Sequence, residues 1–410
     1  MQIDFLNITL TTSILLWGGS LGYLFFAIIA VSIFKNNKDK SLINNNFQPP
    51  ITILKPIYGL DPEMSSNLKS FCQQDYPDYQ IIFGLQDTND SALPLVKEIV
   101  KEFSESDVSY VINTARHGTN HKVSNLINMY PSIKHEFILI ADSDMRVTKD
   151  YLSQVIPPFI DTDIGAITCL YSGSASGKTT SLLNAMFINY WFLPSVLISK
   201  LIKPIQYCLG ATMIVRRNIL NKIGGFEALS NHLADDYMIG KLVSNIGYKI
   251  HLSNFIIENI VEETSFKNLI SHELRWARTL RRVEPYGYAL TFLTDSLILS
   301  FIVGISLYLT TSIPILFLLP ILITLIIRIH LFTKINELIN SKKIGKIWLI
   351  PLRDILSFFI RLASYTGNLV EWRKNKFAVD HLGLMHEEKI ISSEKNTTNK
   401  VADSVSQQDS

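Results

Sequence analysis

The sequence predicts an α/β protein anchored in a membrane by helices towards both ends of the chain, and three observations support this. Only 18% of the 410 residues are charged, against roughly 25% in an average globular protein. Uncharged runs long enough to cross a bilayer lie near the N-terminus and in the last third of the chain. Between them, short β-branched runs alternate with helical patterns, as in α/β domains with a mostly parallel sheet. The net charge of +2 predicts no nucleic-acid partner.

The first apolar run, residues 11–34, predicts a transmembrane anchor, because about 20 residues are enough to cross the hydrocarbon core. Residues 1–10 then form a short extracytoplasmic stub. A cleaved signal peptide is the alternative, but the first four residues lack the basic charge of such a leader. The second apolar block, 287–332, predicts a transmembrane helical hairpin, since Asp295 is its only charge before Arg328. A turn-like sequence divides this block.

Basic residues indicate on which side of the membrane the central domain lies. They flank the apolar runs at Lys35, Lys38, Lys40, Arg278, Arg281 and Arg282. The positive-inside rule then places residues 35–286 in the cytoplasm. Three scattered cysteines, too few for a disulfide framework, suit that reducing compartment. We expect an integral membrane protein with its central domain in the cytoplasm.

The C-terminal part of the chain is harder to assign. Residues 347–372 are apolar but contain Arg353, Asp354 and Arg361. An interfacial helix, a re-entrant segment and a fourth span that buries a paired Arg353–Asp354 all remain open. The last residues, 386–410, are polar and rich in Ser, Asn and Lys, which predicts a disordered tail.

The central domain is expected to be a sheet with helices between its strands. Predicted strands cover 51–54, 79–85, 108–112, 136–140 and 164–170, and predicted helices start at Asp61 or cover 91–103 and 122–130. The uncharged stretch 181–199 predicts a helix on the membrane surface. Ligands in such sheets bind beyond the carboxyl ends of the strands. Those positions include Asp87 and the tripeptide Asp142-Ser143-Asp144.

Two carboxylate motifs have the chemistry of a catalytic site. Asp142 and Asp144, on the turn after a buried strand, can hold Mg²⁺ or Mn²⁺ together with a substrate diphosphate. A solvated turn with two capping aspartates is the alternative. Asp235 and Asp236 begin a predicted helix, where they serve as caps or where Asp236 acts as a general base.

A basic helix precedes the second apolar block. Its Arg275 can stabilise a departing diphosphate, Trp276 offers a stacking face, and His272 lies one turn before them. The alternative is a juxtamembrane basic collar that contacts lipid headgroups. Several of the neighbouring arginines are expected to do only that.

The order of these motifs resembles a known series. Asp87, Asp142-x-Asp144, Asp235-Asp236 and Arg275-Trp276 resemble the D, DxD, (E/D)D, (Q/R)xxRW series of inverting GT-A glycosyltransferases. Residues 54–62, 75–77, 85–87 and 224–226 look like the signature of the ceramide glucosyltransferase family, family 21. Residues 117–120, 122–128, 141–144 and 225–229 are most similar to its bacterial branch associated with hopanoid biosynthesis. The resemblance covers roughly residues 10–375, and its bacterial branch implies a bacterial inner membrane.

The resemblance implies a GT-A (nucleotide-diphospho-sugar transferase) domain, a UDP-sugar donor, Mg²⁺ or Mn²⁺, and a membrane lipid as acceptor. Carried over motif by motif, it implies donor contacts from Asp87, Lys122, Asp142, Asp144 and Arg275, with the metal on Asp142 and Asp144. Asp236 would be the catalytic base, and the groups contacting diphosphate and acceptor would be His272, Arg275 and Trp276. His272 departs from the motif, which usually has Gln or Arg there.

The predicted function is therefore transfer of a hexose from UDP-glucose or UDP-N-acetylglucosamine to a lipid hydroxyl, with inversion. Ceramide and a hopanoid polyol such as bacteriohopanetetrol both fit as acceptor. Two alternatives remain. A processive polysaccharide synthase needs a channel, for which the predicted helices are few. An inactive lipid-binding scaffold would have no need of carboxylates at every motif position.

Overall fold

The chain begins with one long helix, α1 (Gln2–Asn36). The computed structural model describes residues 2–37, 47–339, 346–367, 369–372, 375–380 and 383–387. At 1.5 Å per residue α1 is about 52 Å long, more than the roughly 30 Å of a hydrocarbon core. Its second half packs on the central domain, where Leu24, Ala27 and Phe34 are buried in one cluster with strand residues. The segment predicted as a stub is helical from Gln2 onward.

The described residues of the central domain form an eight-stranded sheet. Its strands are β1 (Ile51–Pro56), β2 (Tyr79–Leu85), β3 (Val108–Ile112), β4 (Phe137–Ala141), β5 (Met145–Arg146), β6 (Ile164–Ala175), β7 (Thr212–Arg216) and β8 (Lys249–Val261). Their order in the sheet is β3-β2-β1-β4-β7-β6-β8-β5.

Helices surround this sheet. They are α2 (Met64–Cys72), α3 (Leu93–Glu102), α4 (His121–Met129), α5 (Tyr151–Val155), α6 (Thr179–Phe187), α7 (Leu193–Ile202), α8 (Arg217–Lys222), α9 (Asp235–Asn245) and α10 (Phe266–Val283). A π-helical turn, Ile188–Phe192, joins α6 to α7.

Strand direction divides the sheet into two parts. The strands β3, β2, β1 and β4 are parallel, because a helical crossover connects each to the next along the chain. Beyond them β7 is antiparallel to both β4 and β6, β8 is parallel to β6, and β5 is antiparallel to β8. The sheet is therefore mixed. Six of its eight strands nevertheless run in one direction, with β7 and β5 opposed, which agrees with the expected mostly parallel sheet. The strands β7 and β8 themselves were not predicted.

The parallel part determines where the site forms. In register, Ile53 of β1 pairs with Ile81 of β2 and with Leu139 of β4. Since β1 lies between two parallel neighbours, the residues that follow β2 and β4 leave the sheet at the same edge. Both faces are covered by helices, and apolar side chains of the strands are buried on each.

The C-terminal helices are α11 (Pro285–Leu290), α12 (Ser296–Thr311), α13 (Pro314–Leu338) and α14 (Ile350–Ser364). Among the described residues, Leu6–Asn36, Thr179–Ile202 and Pro314–Leu338 are long and apolar enough to cross a membrane. There are up to four such spans if the pair Pro285–Thr294 and Ser296–Thr311, bent by 56°, counts as one. Half of the apolar window in Thr179–Ile202 is buried inside the protein.

Three buried ion pairs correct the expectation for the stretch around α14. Arg353 does not pair with Asp354. Its two terminal nitrogens lie 2.6 and 2.7 Å from the carboxylate of Glu273 on α10. Asp354 instead accepts from Arg328 of α13, and Arg361 pairs with Asp295, at the bend before α12. Each of these arginines and Asp354 thus has a partner on a different segment of the chain, which adjacent positions on one helix cannot provide.

A small antiparallel sheet ends the described chain. Its strands are β9 (Leu369–Trp372), β10 (Asn375–Val379) and β11 (Met385–Glu387). None of these strands was expected from the sequence, and β11 includes the first two residues of the predicted disordered tail. Residues 388–410, the rest of that tail, lie outside the described residues.

Candidate active site

A cavity of about 700 Å³ opens at the edge of the sheet where β2 and β4 end. The residues after these two strands, Gln86 and Asp142, line it, as do the start of α9 and one face of α10. Its wall also includes the aromatic side chains of Phe187 and Trp191, from the apolar run α6–α7. The cavity therefore adjoins both charged and strongly apolar groups.

The Asp-x-Asp turn after β4 is held from two sides. Lys55 Nζ, buried in β1, donates to the main-chain oxygen of Asp142 at 2.5 Å. The Asn259 side chain of β8 donates to Asp144 Oδ2 at 2.9 Å. Asp144 Oδ1 is buried and has no hydrogen-bond partner among the described residues. Burial and the neighbouring Asp142 raise the pKa of Asp144 to about 6.

Lys122 connects the two carboxylate motifs. It lies in the first turn of α4, whose N-terminus is capped by the side chain of Asn120. Its Nζ is 2.7 Å from Asp142 Oδ1 and 3.6 Å from Asp235 Oδ2. Burial alone would lower the pKa of Lys122, but Asp142 and Asp235 together raise it well above the usual value. Lys122 is therefore a permanent positive charge between the motifs.

Asp235 and Asp236 form the first turn of α9, where negative charge suits the helix dipole. Both line the cavity. Burial, and next the charge of Asp235, raise the pKa of Asp236 to about 6. A Cβ atom at Gly210 would lie 2.8 Å from Asp236 Oδ2. The glycine thus leaves the space beside this carboxylate open, and the carboxylate is basic enough to accept a proton near neutral pH.

The helix α10 provides the cationic and aromatic groups. His272, Arg275 and Trp276 all line the cavity. The rings of His272 and Trp276 meet edge to face, with centroids 4.7 Å apart. Glu273, on the same helix, is buried in its ion pair with Arg353, so α14 fixes the orientation of α10.

The structure brings together all but one of the predicted site residues. Seven of the eight predicted site residues line the cavity: Lys122, Asp142, Asp144, Asp236, His272, Arg275 and Trp276. The exception is Asp87. Asp87 is exposed after β2, where its carboxylate accepts from the main-chain nitrogen of Asn89 at 2.8 Å. Its contact with a nucleoside remains a prediction.

Sequence reasoning missed three residues that shape the site. Lys55 could have been noticed in the sequence, since a lysine inside an apolar strand is rarely buried without a specific partner. Asn259 carried no such signal, because β8 was not predicted and its contact joins distant parts of the chain. Glu263, two residues after β8, carried none either; its carboxylate lies 2.7 Å from His272 Nδ1 and accepts from the Asn184 side chain at 2.9 Å. Asn259 reaches Asp144 only because β5 pairs with β8.

This fold and this site define a class of protein. An α/β sheet with an Asp-x-Asp turn and a pair of aspartates at a helix start, both at the same edge, is the arrangement of a GT-A glycosyltransferase. The chain belongs to Glycosyl transferase family 21, whose family model matches residues 17–385. It is thus a glycosyltransferase, as the sequence predicted.

Two curated relatives are ceramide glucosyltransferases of Caenorhabditis elegans. Ceramide glucosyltransferase 3 is 24% identical over 361 residues, covering 85% of this chain and 77% of the relative. Ceramide glucosyltransferase 1 is 23% identical over 359 residues, covering 80% and 71%. The narrower resemblance to a hopanoid-associated branch remains a prediction.

The fold is similar to that of a solved mannosyltransferase, PcManGT from Pyrobaculum calidifontis. The two share 14% sequence identity with a TM-score of 0.56, and the match covers 87% of this chain and 99% of that one. At this identity the likeness concerns the fold alone, and it confirms the predicted α/β GT-A architecture.

Proposed function

We propose that this glycosyltransferase transfers a hexose from a UDP-sugar to the hydroxyl group of a membrane lipid, with inversion at the anomeric carbon. One observation carries the proposal. The cavity that contains Asp142, Asp144 and Asp236 is also lined by Phe187 and Trp191, from a helical run apolar enough to cross a membrane. A charged nucleotide and an apolar acceptor can therefore meet in one space. The names of the ceramide glucosyltransferase relatives support a lipid acceptor.

The carboxylates after β4 fit a divalent cation, Mg²⁺ or Mn²⁺. Asp144 Oδ1 is a buried oxygen without a partner among the described residues, and Asp142 lies beside it. The described residues contain no cluster of three ligand side chains, so the remaining ligands would come from the donor diphosphate and water. The related fold of PcManGT was solved with GDP-Man and Mn²⁺. When bound, the cation would neutralise charge on the diphosphate.

Asp236 acts as the general base. The acceptor oxygen attacks the anomeric carbon while its proton passes to the Asp236 carboxylate, and the bond between that carbon and the β-phosphate oxygen breaks. The electron pair leaves with UDP. Attack from the face opposite the leaving group converts an α-linked donor into a β-glycoside.

The other residues bind and orient the substrates. Arg275 and His272 stabilise the negative charge on the leaving diphosphate. Trp276 packs against the acceptor or the sugar, and Lys122 balances the two carboxylate motifs. Asp87 is proposed to contact the nucleoside at the rim of the cavity.

The proposed setting is a bacterial inner membrane with the catalytic domain on the cytoplasmic side, where UDP-sugars are made. α1 and the pair α12–α13 would cross the bilayer. The run α6–α7 would lie at its cytoplasmic face, because half of its apolar window is buried inside the protein and a crossing would place Asp142 and Asp236 on opposite sides of the membrane. α14 would lie there too, because its 15 residues include Arg353, Asp354 and Arg361.

Transfer of label into lipid tests the proposal. Membranes containing the protein are incubated with radiolabelled UDP-glucose or UDP-N-acetylglucosamine, Mg²⁺ or Mn²⁺, and either ceramide or bacteriohopanetetrol. Membranes without the protein are the control. We expect one donor and one acceptor to give labelled glycolipid, and chelation of the cation to abolish it. Label in a growing polysaccharide would instead indicate a processive synthase. Absence of both products and of UDP binding would indicate an inactive scaffold.

A further inference from the structure

The cavity has two ends of different chemistry. One end contains the carboxylates after β4 and at the start of α9, together with Lys122 and Arg275. The other end, here called the apolar lobe, is lined by residues of α7, α11 and α14, among them Val196, Tyr288 and Ile360. The proposed contacts with the UDP part of the donor lie at the first end, which leaves the apolar lobe for a different group.

A line of residues on α10 and α11 connects the two ends. Trp276, Leu280 and Val283 line the cavity and recur every three or four residues, so they share one face of α10. This face follows the cavity for about 10 Å, at 1.5 Å per residue. Gly287 and Thr291 continue the line on α11 and the turn after it, a segment that belongs to a candidate membrane span. The apolar lobe therefore connects the reaction site with a part of the chain that is apolar enough to enter the membrane.

The charged side chains at the apolar lobe have partners. Arg361, which lines the lobe from α14, pairs with Asp295. Glu284, between α10 and α11, accepts from the Tyr237 hydroxyl at 2.9 Å, and Lys203 Nζ lies 4.0 Å from its carboxylate. Because these charges are compensated, the lobe suits a neutral and largely apolar ligand better than a second anion.

Gly287 leaves open space in the wall of this lobe. A Cβ atom at Gly287 would lie 3.9 and 4.0 Å from Cβ and Oε2 of Glu284, its nearest neighbours, which are ordinary van der Waals distances. Gly287 also lies within the helix α11, where glycine is less favourable than every other residue except proline. Neither the backbone nor the packing requires a glycine here. A larger side chain would take up the open space that Gly287 borders, which includes the cavity.

We propose that the acceptor lipid binds in the apolar lobe, with its reacting hydroxyl at Asp236 and its apolar part along α11, and that Gly287 is a specificity-determining residue because it admits that part. This inference rests on the proposed function. The two ends of the cavity adjoin at the base, since Tyr237, the residue after Asp236, donates to Glu284 at the border of the lobe. A neutral lipid with a bulky apolar part next to its hydroxyl is the class of acceptor that fits.

Two leucine substitutions on α11 test the proposal. Gly287→Leu places a side chain in the lobe, whereas Ala289→Leu places the same side chain at an exposed position of α11 that does not line the cavity. The purified full-length variants are compared by KM for the lipid acceptor and by calorimetric Kd for UDP. We expect Gly287→Leu to raise the acceptor KM about tenfold, because it overfills the binding site, and to leave UDP affinity unchanged. Ala289→Leu should change neither value.

Three results would overturn the inference. They are an unchanged acceptor KM in Gly287→Leu, an equal rise of that KM in Ala289→Leu, and an equal loss of UDP affinity in Gly287→Leu. Wild-type protein that transfers sugar to no lipid would instead contradict the proposed function.

A protection experiment needs no turnover. The thiols of Gly287→Cys and Ala289→Cys are alkylated with N-ethylmaleimide, and mass spectrometry follows the modification at each position. The natural cysteines are buried and should react slowly. With ceramide or bacteriohopanetetrol at about ten times its Kd, we expect alkylation at position 287 to slow about tenfold, and UDP alone to have no effect. Equal rates at position 287 with and without either lipid, or equal protection at position 289, would overturn the inference.

Discussion

Lys122 is the cation that contacts both carboxylate motifs of the site. It is the partner of Asp142 at 2.7 Å and of Asp235 at 3.6 Å, so it holds the Asp-x-Asp turn and the start of α9 at a fixed separation. Breaking a buried ion pair from one side leaves a charge without compensation. The charge of Lys122 is therefore structural as well as electrostatic.

Replacing Lys122 with Met should destabilise the protein by about 1–3 kcal/mol, because the buried Asp235 would lose its cation. The partly exposed Asp142 would lose less, since water screens its charge. Thermal unfolding measures the loss. Lys134→Met is the matched control, since the Lys134–Asp107 pair is at the surface and should contribute little. Equal unfolding temperatures for the two variants would show that the ion pairs of Lys122 do not stabilise the protein more than a surface pair does.

The raised pKa of Asp236 predicts a pH dependence. A base must be charged to accept a proton, and the pKa of Asp236 is raised to about 6. The rate of transfer at saturating cation should therefore rise with pH up to about that value and then level off. Asp78→Asn, which changes an exposed carboxylate outside the cavity, should keep this profile. A rate that increases towards acid would exclude Asp236 as the base.

At the residue scale, the sequence predicted the carboxylates but not their partners. Asp142 and Asp144 could be found because they follow a buried strand, and Asp236 because it begins a helix. Lys55, Asn259 and Glu263 act through contacts across the sheet or between helices, and local patterns do not encode such contacts.

At the scale of elements, the parallel strands were the most predictable. β2 and β3 have the predicted bounds, because each is a short β-branched run between turn residues. β8 was missed since it mixes apolar with polar residues, including Asn254, Glu258 and Asn259. β9, β10 and β11 were missed because they are short and gain their stability by packing on the catalytic domain.

This C-terminal sheet supports the loop that leads to the base. The main-chain nitrogen of Leu233 donates to the Gly383 oxygen at 3.1 Å, and that of Met385 to the Asn231 oxygen at 2.8 Å. The Leu233 side chain is buried in a cluster with Phe377 and other residues of the sheet. Asp235 and Asp236 follow this loop directly.

Phe377→Ala should therefore loosen the loop before α9, since truncating a buried phenylalanine costs about 3 kcal/mol or more. We expect faster hydrogen exchange at residues 231–234 and a lower transfer rate with UDP affinity retained. Tyr286→Ala is the control, because Tyr286 is 88% exposed. Unchanged exchange in the loop would show that the C-terminal sheet does not support it.

At the scale of the whole molecule, the apolar helices and the catalytic domain share one core. Leu24 and Phe34 of α1 are buried with residues of the sheet, and Arg353 joins α14 to α10 through Glu273. The sequence predicted both parts, since charge and periodicity differ between them. The sequence could not predict that the two parts pack into one core, because the residues in contact are far apart in the chain.

The proposed membrane orientation can be measured with single cysteines. Cys72, Cys169 and Cys208 are buried and should react slowly with a membrane-impermeant maleimide. Ser312→Cys, in the turn between α12 and α13, should react in intact spheroplasts. Lys149→Cys, exposed on the catalytic domain, should react only after lysis. The reverse pattern would place the catalytic domain outside the cytoplasm.

The most direct test of the account compares two adjacent carboxylates, Asp236 and Asp235, in single-turnover transfer to lipid. Asp236→Asn should lose a factor of about 10² or more in rate, the usual contribution of a general base, and still bind UDP. Asp235→Asn should lose much less, because Asp235 pairs with Lys122 and takes no proton. Near-normal turnover by Asp236→Asn, or a larger loss in Asp235→Asn, would contradict the assignment of Asp236 as the base.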